Sequence, residues 1–114
     1  MFKSIKETDG LKIEQTHYYL TQGDSCTITS TPYKNGEPVT GITKCMFKLA
    51  TKDYKLIFSK QMNLSNGSYV LNLTSTDTEN LEVGSHIYEI EYTIGTEIQT
   101  PHSWKFDILK QITE

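Results

Sequence analysis

The most constraining feature of this chain is a two-residue period in its apolar side chains. Tyr88, Ile90, Tyr92 and Ile94 alternate with Glu89, Glu91 and Thr93. The same rhythm recurs in Cys26-Thr27-Ile28-Thr29, in Cys45, Phe47 and Leu49 against Lys44, Met46 and Lys48, in Tyr69, Leu71 and Leu73, and in Trp104, Phe106 and Ile108. Successive side chains of a strand point to opposite faces, so each run makes a strand with one buried and one solvated side. Turn chemistry separates the runs: Gln22-Gly23-Asp24, Asn35-Gly36-Glu37-Pro38, Thr51-Lys52-Asp53, Asn66-Gly67, Glu82-Val83-Gly84 and Gly95-Thr96. The pattern predicts strands at 11–20, 24–33, 42–50, 54–62, 68–74, 86–94 and 102–109, with a further short strand near 97–100. Strands recurring at such intervals predict an all-β sandwich or barrel, with an antiparallel sandwich of about seven to eight strands expected here.

One stretch leaves the period. Thr74-Ser75-Thr76-Asp77-Thr78-Glu79-Asn80 is polar and ends at Leu81. Ser75 or Thr76 suits a helix cap, and Asp77 and Glu79 suit its positive end, so a helical turn is expected near 75–81 with Leu81 pointing inward. A chain of 114 residues, 36% of them hydrophobic, supports one core. The expected organisation is an N-terminal arm at 1–10, the sandwich at 11–110 and a short tail at 111–114.

Charge and composition exclude several partners. The net charge is −3, from 11 Lys+Arg against 14 Asp+Glu, and the charges are interspersed. Nothing here neutralises phosphates in bulk, so no nucleic acid is expected. The apolar runs are too short to span a bilayer, so no membrane is expected either. Residues 1–10 lack the apolar stretch of a signal peptide, so the chain is expected to stay in the cytoplasm where it is made. Cys26 and Cys45 fall on apolar strand faces and read as reduced, buried hydrophobes, with a disulfide as the alternative.

No residue pattern here points to chemistry. His17, His86 and His102 lack metal-binding spacing, and each sits near a strand end, where a solvated histidine is ordinary. Either cysteine could in principle form a nucleophile pair with a histidine, but a thiol facing an apolar core is inert. Glu89 and Glu91 share an outer face, as acidic residues on a solvated sheet do. The expectation is therefore no catalytic residue, no cofactor and no metal. Tyr18, Tyr19 and Tyr33 stand outside the clearest core pattern, and aromatics with a polar tip favour interfaces.

From Gln22 to Ile108 the chain resembles the small immunoglobulin-like domains of tailed-phage virions, including the amino-terminal domain of siphophage upper baseplate proteins. The resemblance is carried by Gln22-Gly23-Asp24, by Tyr33-Lys34-Asn35-Gly36-Glu37-Pro38-Val39-Thr40-Gly41, and by Cys45-Met46-Phe47-Lys48-Leu49. It continues through Gly67-Ser68-Tyr69-Val70-Leu71-Asn72-Leu73-Thr74, the Thr78-x-x-Leu81-x-x-Gly84-x-x-x-Tyr88 stretch, and Trp104-Lys105-Phe106-Asp107-Ile108. The pattern departs at Ser103, where those domains carry glycine, and by one extra residue before Tyr88. What the resemblance implies is a structural part of the virion, in the baseplate, tail, neck or capsid surface, assembled in the bacterial host. Its partners would be capsid, tail or baseplate proteins and further copies of itself. The expected interface residues are Phe2 and Ile5 on the arm, with Tyr18, Tyr19 and Tyr33. The alternative is a carbohydrate-binding or host-surface recognition module using those three tyrosines.

Overall fold

The computed structural model describes residues 3–8, 11–34 and 36–112. Among these residues the elements run β1 (Lys3–Thr8), β2 (Leu11–Thr16), β3 (Tyr18–Thr21), β4 (Cys26–Ser30), β5 (Tyr33–Lys34), β6 (Glu37–Pro38), β7 (Ile42–Thr51), β8 (Leu56–Gln61), β9 (Asn63–Ser65), β10 (Ser68–Leu73), α1 (Ser75–Thr78), β11 (Gly84–Ile94) and β12 (Glu97–Leu109). They form two sheets. The larger has the order β6-β5-β2-β12-β11-β7-β8, with β1 added to β2 and β3 added to β12; the smaller is β4-β10-β9. In immunoglobulin lettering the smaller sheet is B-E-D, and β7, β8, β11 and β12 stand as C, C′, F and G. The chain is an all-β sandwich. Pairing is antiparallel except where β12 runs parallel to β2 and β3.

The core is the set of side chains that the two-residue period selects. Cys45, Phe47 and Leu49 of β7, Tyr88, Ile90 and Tyr92 of β11, and Phe106 and Ile108 of β12 are buried on the inner face of the large sheet. Ile28 of β4 with Leu71 and Leu73 of β10 supplies the facing layer. Ser30 and the Tyr92 hydroxyl hydrogen-bond to each other inside it, which satisfies two polar groups that burial would otherwise penalise. The Tyr88 hydroxyl donates to the Thr16 carbonyl at 2.8 Å and so ties β2 to the core.

Helix α1 closes one end of the sandwich. Its cap is Thr74, one residue before Ser75 and two before Thr76, the expected caps. The Thr74 hydroxyl accepts from the Asp77 N–H at 3.3 Å, and the Asp77 carboxylate accepts from the Thr74 N–H at 2.8 Å. In that reciprocal box the Thr74 and Asp77 side chains each satisfy the other's backbone N–H at the start of the helix. Thr78 is fully buried and donates to the Asp24 carbonyl at 2.7 Å, while Leu81 points inward as expected.

Three differences from the sequence reading have physical causes. Lys3–Thr8 is a strand, β1, in register with β2 (Ile5 opposite Glu14), whereas residues 1–10 were expected to form a separate arm. The expected strand 11–20 divides at His17: β2 meets β12 at Glu14–His102 and β3 meets it at Tyr18–Phe106. The expected gap around Pro101 is not a gap, because β12 runs through it. Proline has no N–H to give the ladder, and the register against β11 shifts between Ile90 and Tyr92, opposite that position.

Phe47 is fully buried and touches rings on three neighbouring elements, so Phe47→Ala is expected to cost about 3–5 kcal/mol in urea denaturation. Thr27→Ala on the exposed face of β4 is expected to stay within about 0.5 kcal/mol of the parent.

Candidate functional site

Of the residues expected to form an interface, Tyr18, Tyr19 and Tyr33 do not come together. Phe2 lies outside the described residues, and Ile5 sits on β1. Tyr18 and Tyr19 are adjacent on β3 and therefore point to opposite faces. Tyr18 turns inward, its ring centroid 5.1 Å from Tyr88 and 5.6 Å from Phe106. Tyr19 turns outward and stacks on His17 at 4.2 Å. Tyr33 is exposed on β5, at the far side of β2. A sugar-binding platform needs its aromatic faces side by side, and these three do not supply one.

His17 was read as a solvated strand-end residue, and the structure gives it a more specific place. Its Nε2 lies 2.9 Å from the Asp107 carboxylate, and its Nδ1 lies 3.2 Å from the Tyr19 hydroxyl. A carboxylate only accepts, so Nε2–H donates to Asp107, and Nδ1 shares the second hydrogen bond with the Tyr19 hydroxyl. With both ring nitrogens engaged, the imidazole has no free position for a substrate proton. The cluster clamps the β2–β3 junction onto β12. His86 is buried, and its Nδ1 donates to the Gly84 carbonyl at 3.0 Å. Among the described residues no group of three or more His, Cys, Asp or Glu side chains converges.

Both cysteines are free thiols. Burial pushes the Cys45 thiol up to about 12, against a smaller opposing effect of its hydrogen bond with Tyr92, and burial raises Cys26 as well. Since the thiolate is the nucleophile, neither is set up to attack.

What the fold does assemble is an open depression of about 480 Å³ on the outer face of the large sheet. Strand register builds it in two rows. Leu56 of β8, Ala50 of β7, Ile87 of β11 and Lys105 of β12 stand side by side, and next to them Lys48, Glu89 and Ser103. Small side chains at Ala50 and Ser103 leave the hollow, and the apolar row of Leu56, Ala50 and Ile87 crosses three strands. A Lys48–Glu91 ion pair at 3.0 Å borders it.

Tyr54 stands at the rim. The β7–β8 connection is a three-residue loop closed by Thr51 and Lys55, with the Tyr54 N–H donating to the Thr51 carbonyl at 2.9 Å. Such loops put their last residue in the left-handed region, where glycine is the usual occupant. Here the occupant is Tyr54, at φ 66° and 80% exposed. The sequence reading missed this group. Its traces were visible: Ile87 among Ser85, Glu89 and Glu91, Ala50 following Lys44, Met46 and Lys48, and an aromatic in a turn.

No family model and no curated protein sequence matches the chain. Among solved structures, an endo-beta-1,4-mannanase from Thermotoga petrophila superposes with a TM-score of 0.61 at 12% identity, over 92% of this chain and 20% of that one. The chain thus spans a fifth of the enzyme's length. CopC from Methylosinus trichosporium OB3b superposes with a TM-score of 0.54 at 9% identity, over 99% of each chain. At such identities the likeness is one of fold alone.

The buried thiol has a consequence for pH. Below about pH 9 it is protonated whether the chain is folded or not. Between 9.0 and about 12 the unfolded chain loses that proton while the folded chain keeps it, so stability falls as pH rises. Burial also raises the Tyr92 phenol, which acts in the same direction. The urea midpoint is therefore expected to decline between about pH 9 and 11, and Cys45→Val to remove part of the decline. A midpoint flat across that range would contradict the assignment.

Proposed function

We propose that this chain is a structural protein of a tailed-phage particle, acting through protein–protein assembly contacts and catalysing no reaction. The sequence resemblance from Gln22 to Ile108 supplies the setting. The observation that carries the reading is Tyr54. A bulky residue held at positive φ costs the fold about 1–2 kcal/mol, and strain of this kind collects where function demands it. An 80% exposed ring contributes little to the core in return. Its position on the rim of an apolar row is that of an interface anchor, since exposed aromatics beside an apolar hollow are typical of protein contacts. Charged groups at Lys48, Glu89 and Lys105 would then form the polar surround.

Tyr54→Gly tests this with two readouts that move in opposite directions. Thermal unfolding is expected to rise by about 4 °C, because glycine relieves the backbone at φ 66°. Co-sedimentation with phage particles, or capture of purified capsid, tail or baseplate proteins, is expected to weaken at least tenfold. A parent chain with no affinity for any of these, or specific glycan-array binding lost in Tyr54→Ala, would overturn the proposal, the second in favour of surface-sugar recognition.

A further inference from the structure

Around the depression, the carboxylates on the outer face of the large sheet are paired with basic side chains, with one exception. Glu91 of β11 takes Lys48 at 3.0 Å, and Asp107 of β12 takes His17 at 2.9 Å. Glu89 stands on the same face, two residues before Glu91. Strand register sets it between Lys48 of β7 and Ser103 of β12, where it lines the hollow. Lys48 is its direct cross-strand neighbour, but the Lys48 ammonium goes to Glu91. The second cation on the hollow, Lys105, holds its Nζ 5.5 Å from the centre of the Trp104 ring. Among the described residues no hydrogen bond or ion pair reaches the Glu89 carboxylate.

The setting of that carboxylate raises the worth of a counter-charge. Glu89 is half-buried, and the apolar row of Ile87, Ala50 and Leu56 runs beside it. A carboxylate against apolar surface gains more from an incoming cation than one in open water. The exposed Tyr54 ring at the rim adds an aromatic face, which attracts the same sign of charge. Carboxylate, ring and apolar row together call for a group with a cationic head and an apolar stem.

We propose that the depression receives an arginine side chain from a different protein. Its guanidinium pairs with Glu89 through two parallel N–H···O bonds, a fork that the ammonium of lysine does not offer. The Ser103 hydroxyl, directly across from Glu89, accepts a further N–H. The stem lies along Ile87 and Ala50, and Tyr54 closes over the entrance. A second copy of this chain does not supply the group, because all 11 of its Lys+Arg residues are lysine. An acidic partner group fits less well, since Lys48 is already neutralised by Glu91 and Lys105 is drawn to Trp104. This rests on the assembly reading and names the partner's chemistry at the same hollow. It is measured without phage particles, so the two can fail separately.

The test is titration of the isotope-labelled full chain with Nα-acetyl-arginine amide, followed by backbone amide shifts in NMR. Saturable shifts are expected at Ala50, Ile87, Glu89 and Ser103. Nα-acetyl-citrulline amide, which has nearly the same shape without the charge, is expected to bind at least tenfold more weakly. Glu89→Gln is expected to weaken the arginine probe at least tenfold. Glu97→Gln, the same charge change at an exposed position of β12, is expected to leave it unchanged. The same spectra confirm that both variants fold. No saturable shift, equal binding of the citrulline probe, equal responses of the two variants, or tighter binding of Nα-acetyl-glutamate amide would each overturn the proposal, the last in favour of an acidic partner.

Discussion

Four aromatic rings on the inner face of the large sheet hold the rest of the molecule in place. Phe47, Tyr88, Phe106 and Tyr18 come from β7, β11, β12 and β3, with ring centroids 5.1 to 6.3 Å apart. Rings at these separations add edge-to-face and offset contacts to the area they bury. They lock four strands that are distant in sequence into one surface. The opposite, outer face of that same surface is where the depression and Tyr54 lie. Core packing and candidate site are thus two sides of one sheet, and strand alternation decides which residues go to which.

That division explains what could be read in advance. The inner face was legible because burial punishes any departure from the two-residue period, so Phe47, Leu49, Tyr88, Ile90, Tyr92, Phe106 and Ile108 announce themselves. Tight turns were legible for an equally local reason: Asn66 and Gly67 both adopt positive φ between β9 and β10, as their residue types favour. Other features depend on distant partners and leave little local trace. β1 is a strand because β2 is beside it. Pro101 looks like a break, and only pairing with β11 on one side and the register shift beside it carry the strand through. His17 looks like a surface residue until Asp107, ninety positions away, closes on it.

The candidate site was the least legible part. Function on an outer face is written in residues that violate the polar pattern, and single violations are common on any surface. Ile87, Ala50 and Leu56 become a row only when register aligns three strands. Tyr54 becomes informative only when its backbone is seen in a conformation suited to glycine. The tyrosines singled out from composition shared no geometry. Tyr18 joined the core and Tyr19 the His17 clamp.

The account depends on a rigid large sheet whose inner rings carry its stability and whose outer face is free to bind. Amide hydrogen exchange by NMR measures this strand by strand. The slowest amides should be those of β7, β11 and β12 around Phe47, Tyr88 and Phe106, exchanging only through global unfolding, with the 51–55 loop opening far sooner. Equally fast exchange in those three strands and in the loop would show that the rings do not hold the sheet, and would contradict the account at its base.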